Sequence, residues 1–293
     1  MNQFTIRDIE NLCGVKAHTL RIWEQRYNLF VPKRKESRHR IYDCDDLKEL
    51  LRISFLYHHG YRISRIADMS PEQRQQEIAK IKTTQCSYEL FVHQLVEASV
   101  VFDKEGFEKI VNGLVLRIGL DKCIGNVFYP FLQRIGLLWM TNHVIPAQEH
   151  FSSHIIRKKL ICAIDGLEPV SGRKENVVIF SPPGELHEIP LLVAQYFLRK
   201  KHINTTYFGT NVQIETLKYY ADNFPVTHLY MHVITHLDNC GLDTIVKELS
   251  AAFPKQELMI SGPACACVQP ASNVTRFHSI EEVDKLSEAI SSN

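Results

Sequence analysis

The chain has 293 residues, of which 45% are apolar, and a formal net charge of +1 at pH 7. This length and apolar content predict two or three domains with cores of their own. No apolar run reaches the roughly 20 residues that a membrane-spanning helix needs, and the N-terminus leads into the first predicted helix without a signal peptide. We therefore expect a soluble, cytoplasmic protein.

The first predicted elements are two short helices joined by a turn. Residues 5–8 have the spacing of a capping box, and Cys13-Gly14 supplies a helix stop and a turn. A second helix is predicted from Ala17, with the apolar residues Leu20 and Trp23 three positions apart on it. Two helices joined by a glycine turn form a helix-turn-helix arrangement.

A basic segment follows these helices. Residues 33–42 predict a hairpin wing, and Asp45-Asp46 opens a third helix. From Lys16 to Arg40 there are eight basic and two acidic residues, a net charge of +6. Charge concentrated on one small module favours phosphate binding, because neutralised phosphates release counterions. The alternative, a solvated face on a protein-interaction domain, is less favoured because helix-turn-helix spacing and a basic wing occur together.

Residues 5–42 resemble the winged head of MerR-family transcriptional regulators, in which the second helix enters the major groove and the wing grips the adjacent backbone. The resemblance implies a double-stranded DNA operator as partner, bound by a dimer, a tetramer or another homo-oligomer. An arginine can read guanine or only contact phosphate, and the sequence leaves open which residue reads a base. The DNA-binding candidates that it implies are Arg21 and Trp23 on the recognition helix and Arg34, Arg38, Arg40 and Tyr42 in the wing.

The middle of the chain has a helical pattern. The predicted helices cover residues 88–101, 104–116, 122–140 and 147–167, which together form a small helical bundle. Trp139 lies near the end of the third helix, and Glu149-His150 lies near the start of the fourth. Pro146 favours a helix start there, because proline is preorganised for the first helical turn. Taken alone, such residues at a helix junction are most often core packing and a capping interaction.

The spacing of these three residues resembles the Trp-x9-Glu-His signature of CarH/LitR-type light-sensing regulators. In that family a helical cap lies over the upper face of adenosylcobalamin. The resemblance implies that Trp139 packs on the adenosyl group and that Glu149 and His150 line its pocket. Met140 departs from the best-matched light sensors, which have a histidine there.

The last third alternates strands with helices. The predicted strands are 176–180, 205–208, 228–231, 258–260 and 274–277, the predicted helices are 191–201, 214–221 and 242–253, and Ser279 caps a final helix. This order predicts a parallel α/β sheet with its ligand site at the carboxyl ends of the strands. The fold class is multidomain α and α/β, with a winged helix-turn-helix head (1–82), a helical bundle cap (84–168) and a Rossmann-like, cobalamin-binding-type domain (174–293).

Glu185 and His187 lie in the first loop that follows a strand. A histidine at a strand end can ligate a metal, and an acid two residues earlier can tune its basicity. The pair resembles the Asp-x-His-x-x-Gly loop of cobalamin-binding domains, in which the histidine binds cobalt from below. The resemblance therefore implies that His187 is the metal ligand and Glu185 its partner.

The sequence departs at three places from the motifs of cobalamin-binding domains, which are this loop, a Ser-x-Leu motif and a glycine pair. Pro190 occupies the glycine position, His232 falls at the serine of Ser-x-Leu, and Ser261-Gly262 falls on a glycine pair. Those small residues make room for the nucleotide tail of cobalamin in the family. We expect His232 to lie in the cofactor site and, with the stiff Pro190, to narrow that channel.

Three functional hypotheses follow. The first is a regulator whose operator binding is controlled by a tetrapyrrole, with adenosylcobalamin favoured and light as the signal in the photoreceptor version. The second is the same regulator with a pocket for a tailless tetrapyrrole such as biliverdin or haem, or with no cofactor and control by a protein partner. The third is an enzyme, a corrinoid-dependent methyl carrier or mutase component, which the DNA-binding head disfavours. The operator, the sign of regulation and the oligomeric state stay open.

Overall fold

A computed structural model describes residues 4–30, 33–34, 40–80, 88–140, 144–170, 175–234, 239–269, 272–277 and 282. The chain divides into two compact units, Met1–Ile155 and Ile156–Asn293. Within the described ranges, no helix is long and apolar enough to span a membrane.

The N-terminal part of the first unit contains the predicted helix-turn-helix and hairpin. Its elements are α1 (Ile6–Cys13), α2 (Ala17–Tyr27), β1 (Lys33–Arg34), β2 (Arg40–Ile41), α3 (Cys44–His58), α4 (Ile63–Ala67) and α5 (Pro71–Lys80). The antiparallel pairing of β1 with β2 confirms the predicted wing strands. The short helix α4 was not predicted.

The start of α3 shows how local chemistry sets a helix end. The Asp43 carboxylate accepts hydrogen bonds from the backbone N–H groups of Asp45 and Asp46 at 3.0 Å, and the Asp46 carboxylate accepts the Asp43 N–H at 2.9 Å. This reciprocal capping box satisfies N–H groups that have no partner within the helix. The helix therefore begins one residue earlier than Asp45.

The remainder of the first unit is helical, as predicted. Its elements are α6 (Tyr88–Val100), α7 (Lys104–Ile118), α8 (Leu120–Cys123), a π-helical segment (Ile124–Phe128), α9 (Tyr129–Met140) and α10 (Pro146–Asp165). The third predicted helix thus continues through a π-helical turn. The boundary between the two units falls inside α10.

Polar contacts fix several of these helices within the first unit. Arg52 on α3 donates to Glu97 on α6 at 2.9 Å, and the Gln148 side-chain amide donates to the Val100 carbonyl at 2.6 Å. The buried Gln148 side chain also accepts the Ile145 N–H at 3.0 Å. The start of α10 is therefore held at the end of α6.

The second unit is a five-stranded sheet in which all strand pairs are parallel, with the spatial order β4-β3-β5-β6-β7. Its elements are β3 (Asn176–Phe180), α11 (Ile189–Lys200), β4 (Asn204–Gly209), α12 (Ile214–Asn223), β5 (His228–His232), α13 (Asn239–Ala252), β6 (Glu257–Ser261), a 3-10 helix (Pro263–Cys267) and β7 (Val274–Phe277). The predicted Rossmann-like α/β sheet is confirmed. The predicted final helix at Ser279 lies outside the described residues apart from Glu282.

The central strands are buried on both faces, as expected for a parallel sheet covered by helices. Side chains alternate between two apolar clusters, with Val178 and Leu229 in one and Val177 and Tyr230 in the other. The chain leaves β3 toward β4 on one side and reaches β5 on the other. The loops after β3 and β5 diverge at this switch point, where open α/β sheets bind ligands.

Candidate functional site

The loop after β3 begins with a tight turn. The Glu185 N–H donates to the Pro182 carbonyl at 3.1 Å, and Gly184 between them has φ +85°. Proline followed by a left-handed glycine is the signature of a type II turn. The Gly184 N–H also donates to the Asn211 side-chain oxygen at 3.0 Å, which fixes the loop against the chain that follows β4.

The Glu185 side chain is fully buried and joins the loop to the end of β5. One carboxylate oxygen, Oε1, accepts the His187 N–H at 2.9 Å and lies 2.6 Å from the His187 Nδ1. The other, Oε2, accepts the Ile234 N–H at 2.7 Å. A buried carboxylate is stable only when its oxygens are hydrogen-bonded, and these three contacts supply that.

The neighbouring His187 imidazole is half-exposed, at 48% of its side-chain surface. Because a carboxylate only accepts hydrogen bonds, the Glu185 contact makes Nδ1 the protonated nitrogen and gives Nε2 the lone pair. An imidazole oriented through its other nitrogen by a carboxylate is the usual arrangement of a histidine that binds a metal. The geometry of the predicted Glu185 and His187 pair therefore suits a metal ligand.

Directly behind this pair, the ends of β5 and β6 are tightly packed. The His232 imidazole is 7% exposed, and its Nδ1 lies 2.7 Å from the Ser261 Oγ, which is 2.6 Å from the Tyr230 hydroxyl. Burial lowers the pKa of His232 to about 4, so the ring is neutral at pH 7. A Cβ added to Gly262 would lie 2.3 Å from the Val233 carbonyl oxygen and 3.1 Å from the His232 Nε2.

The end of the same loop has a second set of contacts that the sequence did not suggest. Glu188 forms an ion pair with Arg157 and accepts a hydrogen bond from the Tyr207 hydroxyl at 3.2 Å. Burial, together with the Glu188 charge, raises the pKa of Tyr207. Pro190, the departure from the family glycine, is buried in the first turn of α11. Arg157 and Tyr207 are too far from the loop in sequence for any local pattern to reveal them.

The predicted cap residues belong to the first unit. Trp139 lies at the end of α9 and is 51% exposed. Glu149 and His150 lie in the first turn of α10, where the Glu149 Oε2 is 2.9 Å from the His150 Nδ1. Half of the tryptophan surface is open to solvent, so Trp139 is not simply a core residue.

The recognition helix α2 presents a continuous exposed face. The exposed residues at helical spacing are His18, Arg21, Ile22, Gln25 and Arg26. Of these residues, only Arg21 was predicted to contact DNA. Helical periodicity extended from Arg21 would have identified them.

The structure corrects two predicted DNA contacts. Trp23 is 3% exposed and packs edge-on against Tyr57, with the ring centroids 4.9 Å apart. Tyr42 is fully buried against Phe30, and its backbone pairs with Phe4. Both side chains form the core of the head and cannot contact DNA from these positions.

Three arginines were predicted to contact DNA from the wing, namely Arg34, Arg38 and Arg40. The Nε of Arg40, in β2, donates to the Glu24 carboxylate on α2 at 2.7 Å, and this hydrogen bond raises the pKa of Arg40. Arg40 therefore joins the wing to the recognition helix. Arg34 lies in β1, and Arg38 lies outside the described residues.

Two family models match the head and the helical region of the chain. Residues 4–73 match the family described as MerR HTH family regulatory protein, and residues 92–162 match the B12 binding domain. The chain is 26% identical over 220 residues to the HTH-type transcriptional repressor CarH of Myxococcus xanthus, which covers 73% of each chain. It is 25% identical over 219 residues to the repressor CarA of the same organism, covering 73% of this chain and 70% of that one.

A solved structure has a similar fold. The monomethylamine corrinoid protein of Methanosarcina barkeri aligns with a TM-score of 0.54 and 14% identity, covering 67% of this chain and 96% of that one. This identity shows the fold alone. The helical region and the five-stranded parallel sheet therefore have the architecture of a corrinoid-binding protein.

Proposed function

The chain is a MerR-family helix-turn-helix transcriptional regulator with a B12-binding domain, distantly related to CarH and CarA, and we propose that a corrinoid controls its binding to operator DNA. MerR-family proteins of this type are regulators, not enzymes. The observation that carries the proposal is the buried Glu185 carboxylate, which orients the half-exposed His187 ring at the switch point of the sheet.

The residues at this edge fit a corrinoid in their donor chemistry, because the Glu185 carboxylate orients one half-exposed imidazole, that of His187. A corrinoid brings its own ring ligands for cobalt, so this single imidazole would be enough to hold it. Among the residues that the structure describes, no three His, Cys, Asp or Glu side chains gather into a self-sufficient metal site. In the proposal, His187 binds the cobalt and Glu185 keeps its ring in the ligating tautomer.

The helical region carries a second set of candidate cofactor residues. The family signature implies that Trp139, Glu149 and His150 contact the cofactor, and the exposure of Trp139 supports that role. When bound, adenosylcobalamin supplies a cobalt–carbon bond that light can break, which makes light the proposed signal. Control of DNA binding requires that the ligand bind one homo-oligomeric state better than another.

The proposal is tested by absorption spectroscopy of protein purified in the dark. The full chain is incubated separately with adenosylcobalamin, biliverdin and haem, freed of unbound ligand, and measured before and after illumination. We expect a retained corrinoid spectrum that changes with light, together with a light-dependent change in operator binding. Retention of biliverdin or haem alone would favour the tailless tetrapyrrole, and retention of none would favour control by a protein partner.

Two histidine variants locate the ligand. His187→Ala is expected to lose or shift the bound corrinoid spectrum while leaving DNA binding by the ligand-free protein intact. His202→Asn is the control, because His202 is an exposed histidine at the opposite end of α11, and asparagine tolerates its φ of +58°. An unchanged spectrum in His187→Ala would remove this residue from the site.

A further inference from the structure

The packing behind His187 limits what kind of corrinoid this sheet can take. The three contributing residues are His232 at the end of β5 and Ser261 and Gly262 at the end of β6. His232 is 7% exposed, Ser261 is 3% exposed, and Gly262 touches the backbone at Val233 so closely that a Cβ there would be 2.3 Å from its carbonyl oxygen. The carboxyl ends of β5 and β6 pair directly at His232 and Ser261, and both side chains are buried there.

The His232 ring is also fixed in place. Its Nδ1 is within hydrogen-bond distance of the Ser261 Oγ, and its Nε2 would be 3.1 Å from a Cβ on Gly262, so the ring lies directly against this backbone. The Ser261 Oγ is in turn within hydrogen-bond distance of the buried Tyr230 hydroxyl. Moving the ring aside would break this connected set of polar contacts inside the core, which is costly.

We propose that this domain binds corrinoids without taking up a nucleotide tail, and that it prefers an incomplete corrinoid that lacks the lower nucleotide to complete cobalamin. This inference rests on the proposed function and names the ligand class of the same site. His232 is the specificity-determining residue in this proposal, because its buried ring stands where the family resemblance places a serine beside the nucleotide tail.

The preference has a second physical cause. In complete cobalamin the nucleotide base can occupy the lower face of cobalt, which is the face that His187 needs. Displacing that base leaves a bulky nucleotide tail, for which the buried and hydrogen-bonded His232 ring leaves less room than the family serine would. A cobinamide has neither the competing base nor the tail, so the whole interaction with His187 contributes to its affinity.

The first test compares adenosylcobinamide with adenosylcobalamin on the full chain in the dark. Isothermal titration calorimetry gives the two affinities, and the absorption spectrum of each complex reports whether an imidazole binds the cobalt. We expect adenosylcobinamide to bind about tenfold more tightly or better, which corresponds to about 1.4 kcal/mol. Equal or tighter binding of adenosylcobalamin would overturn the inference and leave the proposed function standing. Binding of neither would remove both.

The second test replaces His232 by a smaller residue. His232→Ser is expected to raise the affinity for adenosylcobalamin about tenfold and to change the affinity for adenosylcobinamide little. His228→Ser is the matched control, because His228 is a 5%-exposed histidine at the other end of the same strand. Circular dichroism checks that both variants fold, and the comparison on the unaltered chain decides the inference without either of them. An unchanged preference in a folded His232→Ser would assign the selectivity elsewhere.

Discussion

The outer face of the recognition helix and the carboxyl edge of the sheet are the two proposed binding regions, and they are built in opposite ways. On α2, polar and charged side chains such as Arg21 and Gln25 stay in solvent, while Leu20 and Trp23 pack beneath them. At the sheet edge, the ionisable groups Glu185 and His232 are taken out of solvent and fixed by hydrogen bonds. A surface for a long polyanion needs accessible charge, whereas a site for one small group needs rigid, oriented donors.

The two regions are also held in place by different kinds of contact. The head anchors its exposed face through an apolar core and through the Arg40 pair with Glu24. The sheet edge relies on polar contacts from chain segments about fifty residues apart, as in the Glu185 bond to the Ile234 N–H. Breaking the first kind of anchor should unfold the head, while changing the second should alter how stability depends on pH.

The largest effect is expected at Trp23, which lies in the apolar core of the head. Trp23→Ala removes a 3%-exposed indole and its edge-on contact with Tyr57, and should lower the free energy of unfolding of the head by about 4 kcal/mol. Thermal and urea denaturation followed by circular dichroism measure this loss. Ile22→Ala, at the next and half-exposed position, should cost no more than about 0.5 kcal/mol.

Trp23→Phe separates packing from DNA contact. Phenylalanine keeps much of the buried apolar volume, so this variant should fold and bind operator DNA like the unaltered protein. If it folds and yet loses DNA binding, the indole contributes to the interface and its assignment to the core is incomplete.

The second prediction concerns the pH dependence set by His232, whose ring faces Glu185 and His187. Burial lowers the pKa of His232 to about 4 in the folded state, against an ordinary value of 6.5. The unfolded state therefore binds more protons below pH 6.5, and the contribution is full at higher pH and is lost as pH falls toward 4. Between pH 7 and pH 5 this group should lower the unfolding free energy by about 2 kcal/mol.

Urea denaturation of the unaltered protein and of His232→Ser at both pH values measures this contribution. The loss of stability on acidification should be smaller in the variant by about 2 kcal/mol, since the linked proton is gone. If both proteins lose the same unfolding free energy on acidification, the His232 ring is hydrated in solution. The carboxyl edge of the sheet would then not be tightly packed around it.

How much the sequence could predict also differs between the two regions. Helices and strands of the head and the sheet follow from local periodicity, and the Glu185 and His187 pair was predictable because both residues lie in one short loop. Contacts that join different strands, such as His232 with Ser261, depend on register and have no local signal. Pro190 and His232 led the sequence to predict a narrowed channel, whereas the contact of the His232 ring with Ser261 is seen only in the structure.

The error at Trp23 has a different origin. Its spacing from Leu20 already placed it on an apolar side of the helix, which is the side that the structure buries. Assigning it to DNA by its position on the recognition helix ignored that spacing. Within a DNA-binding helix, the 3.6-residue period decides which residues can reach a groove.

The smallest effect is expected at Arg21, and it tests whether the exposed face of α2 contacts DNA. Its side chain is exposed on α2, where an arginine can donate two hydrogen bonds to guanine. Arg21→Ala should weaken binding to an operator fragment about tenfold and binding to a scrambled duplex by a smaller factor, as measured by fluorescence anisotropy. Arg117→Ala removes an exposed arginine at the end of α7 and should change neither.

The salt dependence of the same measurements decides between the two things an arginine can do. If Arg21 reads a base, the ratio of operator to scrambled affinity falls while the salt dependence changes little, since no phosphate contact is lost. Equal weakening on both duplexes, with the slope of log affinity against log salt reduced by about one, would assign Arg21 to phosphate. Base reading would then have to come from the other exposed positions on this helix, which His18, Ile22, Gln25 and Arg26 occupy.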